Sequence, residues 1–433
     1  MLLWVGTVLI AFNIVIGLRV YQAAAASGEG DDSGYEDIAV FTRALQLIRQ
    51  DYVDEEKISY HELTYSALRG MLADLDPHSQ FMEPEDFGGM QEDTRGSFGG
   101  LGIVVAVRDG RLTVVTPMED TPGFDAGLLP GDRIMKIDGE STEKMSLEDA
   151  IQLLRGEVGE TVTLTIFRAS NNEVKEIPVE RAVIKVASVK DAQILPEEMT
   201  GDRKIGYVRI TQFNEPTAKD LAKKLDMLEE QGMQALVIDL RFNPGGLLNS
   251  AVDVCAEFLP ENQLVVYTEG RTPSQRREYR TSSDGRSHRT YPVAVLINGG
   301  SASGSEIVAG AFKDLNRAIL VGETTFGKGS VQSVMPLQDG SALRLTTAKY
   351  YTPSKQVIHE HGVTPTIRAT MSRDDERLLL LKRREEYLDE SDRIELASFR
   401  DVPLERAVDS LKGVMIYVEN APSPTVLRAT AVN

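Results

Sequence analysis

Residues 292–315 read PVAVLINGGSASGSEIVAGAFKDL: an apolar run, a turn rich in glycine and serine, and an amphipathic run. The first part predicts a buried strand, and the last predicts an α-helix because its apolar residues recur at helical spacing. Glycines in the turn allow the backbone to approach a ligand closely. A strand that leads through such a turn into a helix is typical of a sheet covered by helices.

The same alternation of strand and helix extends on both sides of this segment. Upstream lie the predicted strand KIGYVRITQF, the helix PTAKDLAKKLDMLEEQG, the strand ALVIDLR and the helix LLNSAVDVCAEFL, and downstream lies the strand RAILVG. This order predicts an α/β domain.

The rest of the chain has a different rhythm. Short strands with a single helix, SLEDAIQLLRG, predict a small β-rich module, and the charged C-terminal residues predict helices that form a separate docking element. The predicted domains are a signal peptide or membrane anchor (1–26), a linker (27–34), an N-terminal helical region (35–95), the β-rich module (96–184), the α/β core (185–370) and a C-terminal helical region (371–433).

Composition excludes some classes of function. The chain has 433 residues, of which 42% are hydrophobic and 26% charged, as in an ordinary globular protein. The formal net charge of −19 argues against a nucleic-acid partner, which would favour a basic surface. The single cysteine, Cys255, excludes an intramolecular disulfide, and its helical surroundings predict a core residue.

Residues 2–18, LLWVGTVLIAFNIVIGL, form an apolar run whose length lies between a signal-peptide core and a short membrane span. No Lys or Arg precedes it, which argues against a signal peptide, whereas the alanines at 23–26 offer a cleavage site for one. A signal peptide and a membrane anchor both predict export, the first of a cleaved protein and the second of a tethered one.

Three glycine-rich segments follow predicted strands: DLRFNPGGLL (239–248), NGGSASGSE (298–306) and GETTFGKGSVQ (322–332). In an open α/β sheet, ligands bind where strands end and helices begin. The segments lack the G-x-x-x-x-G-K-[ST] and G-x-G-x-x-G patterns, which argues against nucleotide binding. His359 and His361 lie in a polar loop and do not predict a metal site.

A serine nucleophile in these loops would need a base, and the loops contain no histidine. Lys328 lies in one of them, between Gly327 and Gly329. A lysine is a base only when neutral, so burial must lower its pKa from about 10.4 towards about 7–8.

The serines also have a structural interpretation. Ser303-x-x-Glu306 matches the capping box of a helix N-terminus, and Ser301 or Ser305 offers a cap as well. Capping and catalysis are compatible, because a helix start also directs N–H groups at an oxyanion.

Together, DLRFNPGG, SASGSE and TTFGKGSVQ resemble, in this order, the motifs of the C-terminal processing peptidases, also called tail-specific proteases. The resemblance implies a crotonase- and ClpP-like α/β serine-protease core with an inserted PDZ domain and helical N- and C-terminal regions. By residue, it implies Ser303 as nucleophile, Lys328 as general base and Gln332 as the residue that orients and hydrogen-bonds the lysine. Gly304, where relatives usually have alanine, and Gly245 or Gly246 are the implied oxyanion-hole donors.

The β-rich module resembles a PDZ domain, in which FGGLGI would receive a peptide C-terminus. The implied peptide-binding residues are Gly100, Leu101, Gly102, Ile103, Leu147, Ile151 and Arg155. For the four hydrophobic residues, a plain core position is the alternative. Arg155 resembles an arginine that couples peptide binding to active-site alignment in some relatives, and a solvated helix-end arginine is its alternative.

The resemblance implies an exported serine endopeptidase of the periplasm or cell envelope, with a Ser303–Lys328 dyad and no cofactor or metal. Its expected partners are proteins or peptides with accessible C-termini, an adaptor protein and a second copy of the chain, but not nucleic acid. The alternatives are a non-catalytic PDZ scaffold and a Ser/Lys amidase acting on small amides.

Overall fold

The computed structural model describes residues 34–108, 110–118, 120–169, 171–282, 288–383 and 390–420. The predicted signal peptide or anchor and nearly all of the predicted linker lie outside these residues. The described chain divides into two compact units, one ending at Leu75 and the other beginning at Asp76.

The first unit is helical, as the apolar periodicity predicts. It contains α1 (Tyr35–Asp51), a short 3₁₀ turn (Glu55–Lys57) and α2 (Tyr60–Ala73). Ser59 caps α2 by accepting a hydrogen bond from the Glu62 N–H at 3.1 Å. Within the described ranges, no helix combines the length and apolar character required to cross a bilayer.

The second unit mixes helices and strands. Its helices are α3 (Pro84–Arg95), α4 (Pro122–Asp125), α5 (Leu147–Leu154), α6 (Glu197–Thr200), α7 (Thr217–Glu230), α8 (Leu248–Ala256), α9 (Gly304–Asp314), α10 (Arg373–Lys382), α11 (Glu390–Leu396) and α12 (Val402–Asn420), with a 3₁₀ turn at Pro273–Gln275. The strands up to the central sheet are β1 (Gln80–Met82), β2 (Ser97–Gly100), β3 (Ile103–Arg108), β4 (Arg111–Pro117), β5 (Arg133–Ile137), β6 (Glu140–Ser141), β7 (Thr161–Arg168), β8 (Glu173–Glu180) and β9 (Ala182–Lys185). The remaining strands are β10 (Val189–Ile194), β11 (Ile205–Ile210), β12 (Ala235–Asp239), β13 (Leu264–Gly270), β14 (Arg277–Arg280), β15 (Val293–Ile297), β16 (Ile319–Gly322), β17 (Ser330–Pro336), β18 (Ala342–Tyr351) and β19 (Ile367–Arg368).

The central sheet has the strand order β10-β11-β12-β15-β16-β19. Strand β10 is antiparallel to β11, and the strands from β11 to β19 are parallel. Both faces are covered, so β12 and β15 are buried along their whole length. Parallel strands end at one edge of a sheet, which brings the loops after β12, β15 and β16 to the same side.

Helices α7, α8 and α9 pack on one face of this sheet, and α12 packs on the other. The apolar stripe of α12 consists of Ala407, Val408, Leu411 and Met415, which join Val237 and Leu296 in one core cluster. The prediction of a separate C-terminal docking element is therefore wrong for α12. The charged residues around α12 favoured an exposed helix in the sequence, and only the tertiary fold shows that its apolar stripe is buried.

A second, antiparallel sheet is built around β18, which pairs with β17, β1 and β13. Strand β1 lies within the predicted N-terminal helical region, and the Cα partner of Gln80 in β18 is Arg344. The segment that begins at Asp76 thereby joins the sheet that follows Lys328.

The β-rich module has its own sheet, β3-β4-β5-β7-β8, with β6 beside β5. Its core packs against α5, which starts in a capping box formed by Ser146 and Asp149. Strand β3 is at the edge of the described sheet, which leaves one side of it for an added strand. Strands β2 and β9 form a separate two-stranded ladder that flanks the module.

Candidate active site

The three glycine-rich loops contact one another through their backbones. The Ala302 N–H donates to the Asn243 carbonyl at 2.9 Å, and the Phe326 N–H donates to the Ser301 carbonyl at 3.0 Å. The Ser301 hydroxyl donates to the Leu240 carbonyl at 2.8 Å, and the Ser305 hydroxyl donates to the Asn243 carbonyl at 3.0 Å. These two serines therefore hold the turn together.

Ser303 lies on the turn that leads into α9, with φ of 51° and ψ of −110°. Positive φ is strained for a residue with a Cβ and costs of order 1–3 kcal/mol, which the surrounding contacts must offset. The side chain is buried, with 9% of the residue exposed, and its hydroxyl lies close to that of Tyr350. Burial raises the pKa of Tyr350 to about 12, so the phenol is neutral beside the serine.

Glu306 connects the serine turn to the lysine loop. Its fully buried carboxylate accepts the Ser303 N–H at 2.8 Å, the Thr325 hydroxyl at 2.6 Å and the Gly327 N–H at 2.7 Å. Burial raises the pKa of Glu306, and these hydrogen bonds oppose the rise. The capping box is thus present, and its acid also clamps two loops.

The NPGG loop lies directly against the nucleophile turn. A Cβ added to Gly245 would lie 2.7 Å from the Ser303 Cβ and 2.8 Å from the Gly304 nitrogen. The Gly245 N–H donates to the Asn243 side chain at 2.8 Å. The N–H groups of Gly246 and Gly304 have no hydrogen-bond acceptor among the residues that the structure describes. Gly246 is therefore a better oxyanion donor than Gly245.

Lys328 is half-buried, and burial lowers its pKa. The Arg344 guanidinium lowers this pKa further, whereas the Glu306 carboxylate raises it. The pKa of His78 is lowered as well, first by burial and then by the charge of Lys328, so this histidine borders the site. Within the described ranges, the Lys328 amine makes no hydrogen bond. It is therefore placed near the other predicted site residues without being bonded to Ser303.

Gln332 donates through Nε2 to the Ser330 hydroxyl at 2.8 Å and to the Thr346 hydroxyl at 3.4 Å. The predicted hydrogen bond between Gln332 and Lys328 is absent from the described geometry. Both residues nevertheless belong to the segment that runs from the lysine loop into β17.

Comparisons with known proteins identify the family. A family model described as peptidase family S41 matches residues 204–369, and a PDZ-domain model matches residues 113–168. The carboxy-terminal-processing protease of Bartonella bacilliformis is 40% identical over 355 residues, covering 80% of this chain and 78% of that protein. The chain belongs to peptidase family S41.

Another relative is the carboxyl-terminal-processing protease of Synechocystis, 35% identical over 375 residues, covering 82% of this chain and 86% of that protein. A solved structure, the photosystem II D1 C-terminal processing protease, is 32% identical with a TM-score of 0.44 and covers 77% of this chain and 92% of that chain. The predicted family, the α/β peptidase core with a PDZ domain and the serine-type peptidase activity are confirmed.

The structure places the predicted peptide-binding residues of the PDZ domain in different environments. Leu101 is 2% exposed and belongs to the domain core, so its side chain does not line a peptide pocket. Leu147 and Ile151 of α5 line a cleft of about 1290 Å³ that also reaches Arg344. Ile103 is half-buried against the core. The backbone N–H groups at 101 and 102 have no acceptor among the described residues, as a carboxylate-binding loop requires.

Arg155 follows α5 and lines the same cleft. Its guanidinium stacks on the Phe98 ring at 4.2 Å and lies 3.5 Å from the Glu92 carboxylate in α3. The arginine therefore contacts the segment that precedes the PDZ domain and is not simply a solvated helix end.

Sequence reasoning missed two residues at this site, Tyr350 and Arg344, which look like ordinary members of an alternating strand. His78, in the polar segment DPHSQFMEPEDF, could be expected to approach the serine in space, but no partner residue in the sequence supported this. The pairing of β1 with β18 is what brings this segment to the site.

Proposed function

We propose that the peptidase cleaves peptide bonds with Ser303 as nucleophile and Lys328 as general base. The observation that carries this proposal is the buried Glu306 carboxylate, which accepts hydrogen bonds from the N–H of Ser303 and from the N–H of Gly327, the residue before Lys328. One carboxylate thus sets the relative position of the two backbones. The lowered pKa of Lys328, caused first by burial, supports a neutral amine closer to the working pH.

In the proposed reaction, the Ser303 oxygen attacks the scissile carbonyl carbon while the Lys328 amine takes the hydroxyl proton. The resulting ammonium gives that proton to the leaving amine as the peptide bond breaks. Water, deprotonated by the same lysine, then hydrolyses the acyl-enzyme. The N–H groups of Gly304 and Gly246 stabilise the oxyanion of both tetrahedral intermediates. Gln332 accepts a hydrogen bond from the lysine and orients it.

Replacing Arg344 by glutamine tests the role of Lys328 as the base. The arginine charge lowers the pKa of Lys328, so its removal raises that pKa. Activity requires the neutral amine, and the acid limb of the kcat/KM profile should therefore move to higher pH. The measurement is kcat/KM against pH for an unstructured peptide. Arg277, an exposed arginine of β14 in the same sheet, gives a matched control. An acid limb that stays in place in Arg344→Gln would contradict the assignment.

The substrates that we propose are proteins and peptides with accessible, apolar C-termini, captured by the PDZ domain. Support comes from the free backbone N–H groups at 101 and 102, the edge position of β3 and the apolar Leu147 and Ile151. A peptide carboxylate would receive hydrogen bonds from these amides while the peptide extends the sheet.

A C-terminal amide on an otherwise identical peptide should lower kcat/KM about tenfold or more, because a charged acceptor is lost. Steady-state cleavage of the acid and the amide measures this preference. The Ile151→Glu variant should lose this preference for the C-terminal acid, since a charged side chain replaces an apolar one in the proposed peptide pocket. Equal cleavage of both peptides by the unmodified enzyme would count against PDZ-mediated recognition.

We also propose that the enzyme acts in the periplasm or cell envelope, with an adaptor protein and a second copy of the chain as further partners. The apolar run at 2–18 and the alanines at 23–26 support export. Fractionation of cells that express the full chain would locate it, and recovery from the cytosol alone would contradict this proposal.

A further inference from the structure

Asp76 lies at the start of the loop before β1 and has a dense set of hydrogen-bond donors. Its carboxylate accepts the His78 N–H at 2.7 Å, the Ser79 N–H at 2.9 Å and the Ser79 hydroxyl at 2.7 Å. It also accepts the Thr346 hydroxyl at 3.2 Å. Burial raises the pKa of Asp76, but these hydrogen bonds outweigh burial and leave the pKa below its usual value. The group is therefore an ionised carboxylate, which can only accept hydrogen bonds.

This fixes the direction of the next hydrogen bond. A threonine hydroxyl has one hydrogen, and Thr346 donates it to Asp76, so Thr346 can only accept from Gln332. The group of Gln332 that faces Thr346 must then be its amide nitrogen. The Ser330 hydroxyl lies 2.8 Å from the same nitrogen. The Gln332 oxygen is left without a donor among the described residues.

The backbone supports the same arrangement. Gln332 and Thr346 are paired Cα partners of β17 and β18, next to a register shift between Val331 and Gln332. The Thr346 N–H donates to the Ser79 hydroxyl at 3.1 Å, so the Asp76 loop holds Thr346 by both its backbone and its side chain. The link spans 270 positions of sequence from Asp76 to Thr346.

We propose that Asp76 is a positioning residue that acts through Thr346 to hold the Gln332 amide with its oxygen available to Lys328. The inference rests on the proposed function, in which Gln332 orients the lysine. An amide oxygen that accepts one N–H of the amine leaves the nitrogen lone pair for the Ser303 hydroxyl. A flipped amide would instead donate its NH₂ group to the nitrogen lone pair of the neutral lysine, and this lone pair would then be unavailable to the Ser303 hydroxyl.

The Asp76→Asn variant weakens the directional chain, because a neutral amide oxygen is a poorer acceptor for the Thr346 hydrogen than a carboxylate oxygen is. We expect kcat to fall about tenfold, with KM changed less than about twofold, because positioning is lost while peptide binding is kept. Thr346→Val should have the same effect, and Thr346→Ser, which keeps the hydroxyl, should retain nearly full activity.

The deciding experiment combines these changes with Gln332→Ala in the full chain. Because all three residues act through one amide, Asp76→Asn and Thr346→Val should not lower kcat further in the Gln332→Ala background. Asp339 offers a matched control, since its carboxylate accepts the Ser341 N–H at 3.1 Å and hydroxyl at 2.6 Å in a similar turn, which precedes β18. Asp339→Asn should leave kcat near that of the wild type.

Several results would overturn the inference. These are independent losses of activity in the Gln332→Ala background, an equal loss in Thr346→Ser and Thr346→Val, or a loss in Asp339→Asn as large as in Asp76→Asn. If Gln332→Ala itself is fully active, the proposed role of Gln332 fails and the inference fails with it. If Gln332→Ala is impaired while Asp76→Asn is not, only the inference fails and the proposed function stands.

Discussion

Replacing Lys328 by alanine should lower kcat on the order of 10³-fold or more, because the group proposed to take the Ser303 proton is removed. Lys328→Arg should be equally inactive, since a guanidinium remains protonated and cannot act as a base. Ser303→Ala should show a similar loss. The double variant should be no worse than either single variant, because the two residues act as a unit. The measurement is turnover of an unstructured peptide with an apolar C-terminus.

Lys349 provides the control for this experiment. It is an exposed lysine of β18, in the sheet that follows the lysine loop, and Lys349→Ala removes the same charge without touching Ser303. Its kcat should stay within about twofold of the wild type, as for an ordinary surface change. Peptide binding to the PDZ domain should survive in Lys328→Ala, so a fluorescence titration separates loss of chemistry from loss of fold. Near-normal turnover by purified Ser303→Ala would refute the nucleophile assignment.

Glu306 should be the most sensitive position outside the dyad. Alanine there leaves the Ser303 and Gly327 N–H groups and the Thr325 hydroxyl without their acceptor. A buried unsatisfied donor costs about 1–3 kcal/mol, so the variant should lose several kcal/mol of stability unless water enters. We expect a clear drop in Tm and a loss of kcat of about 10²-fold or more, because both loops lose their common support.

The Glu306→Gln variant removes the charge of this side chain but keeps its size, so it tests the effect of the charge alone. The Glu306 carboxylate raises the pKa of Lys328, so removing its charge lowers that pKa, and the neutral base then exists at lower pH. The acid limb of kcat/KM should therefore move to lower pH, opposite to Arg344→Gln. The Ser372–Asp375 capping box of α10 also places an acid at the third position of a helix, but Ser372 has an extended backbone and its box is exposed. Asp375→Asn should thus leave kcat unchanged, and an unmoved acid limb in Glu306→Gln would contradict the electrostatic argument.

The sequence by itself determined the fold class, the family and the identity of the candidate residues. Alternating apolar runs specify which segments are strands and helices, and these are local properties of the chain. The three glycine-rich motifs resemble those of the family, and this resemblance identifies Ser303, Lys328 and Gln332 as the candidate catalytic residues. Parallel strands then bring the loops after β12, β15 and β16 to one edge, as the strand-turn-helix pattern predicts.

Only the tertiary structure decided which groups remain free and which are already bonded. The N–H of Gly245 is taken by Asn243, whereas that of Gly246 has no acceptor in the described part of the chain, although the two glycines are adjacent in sequence. Leu101 belongs to the core of the PDZ domain and not to a peptide pocket, and α12 packs against the central sheet. Hydrogen-bond direction and burial depend on neighbours far away along the chain, as Asp76 and Thr346 demonstrate. No local pattern encodes such a neighbour.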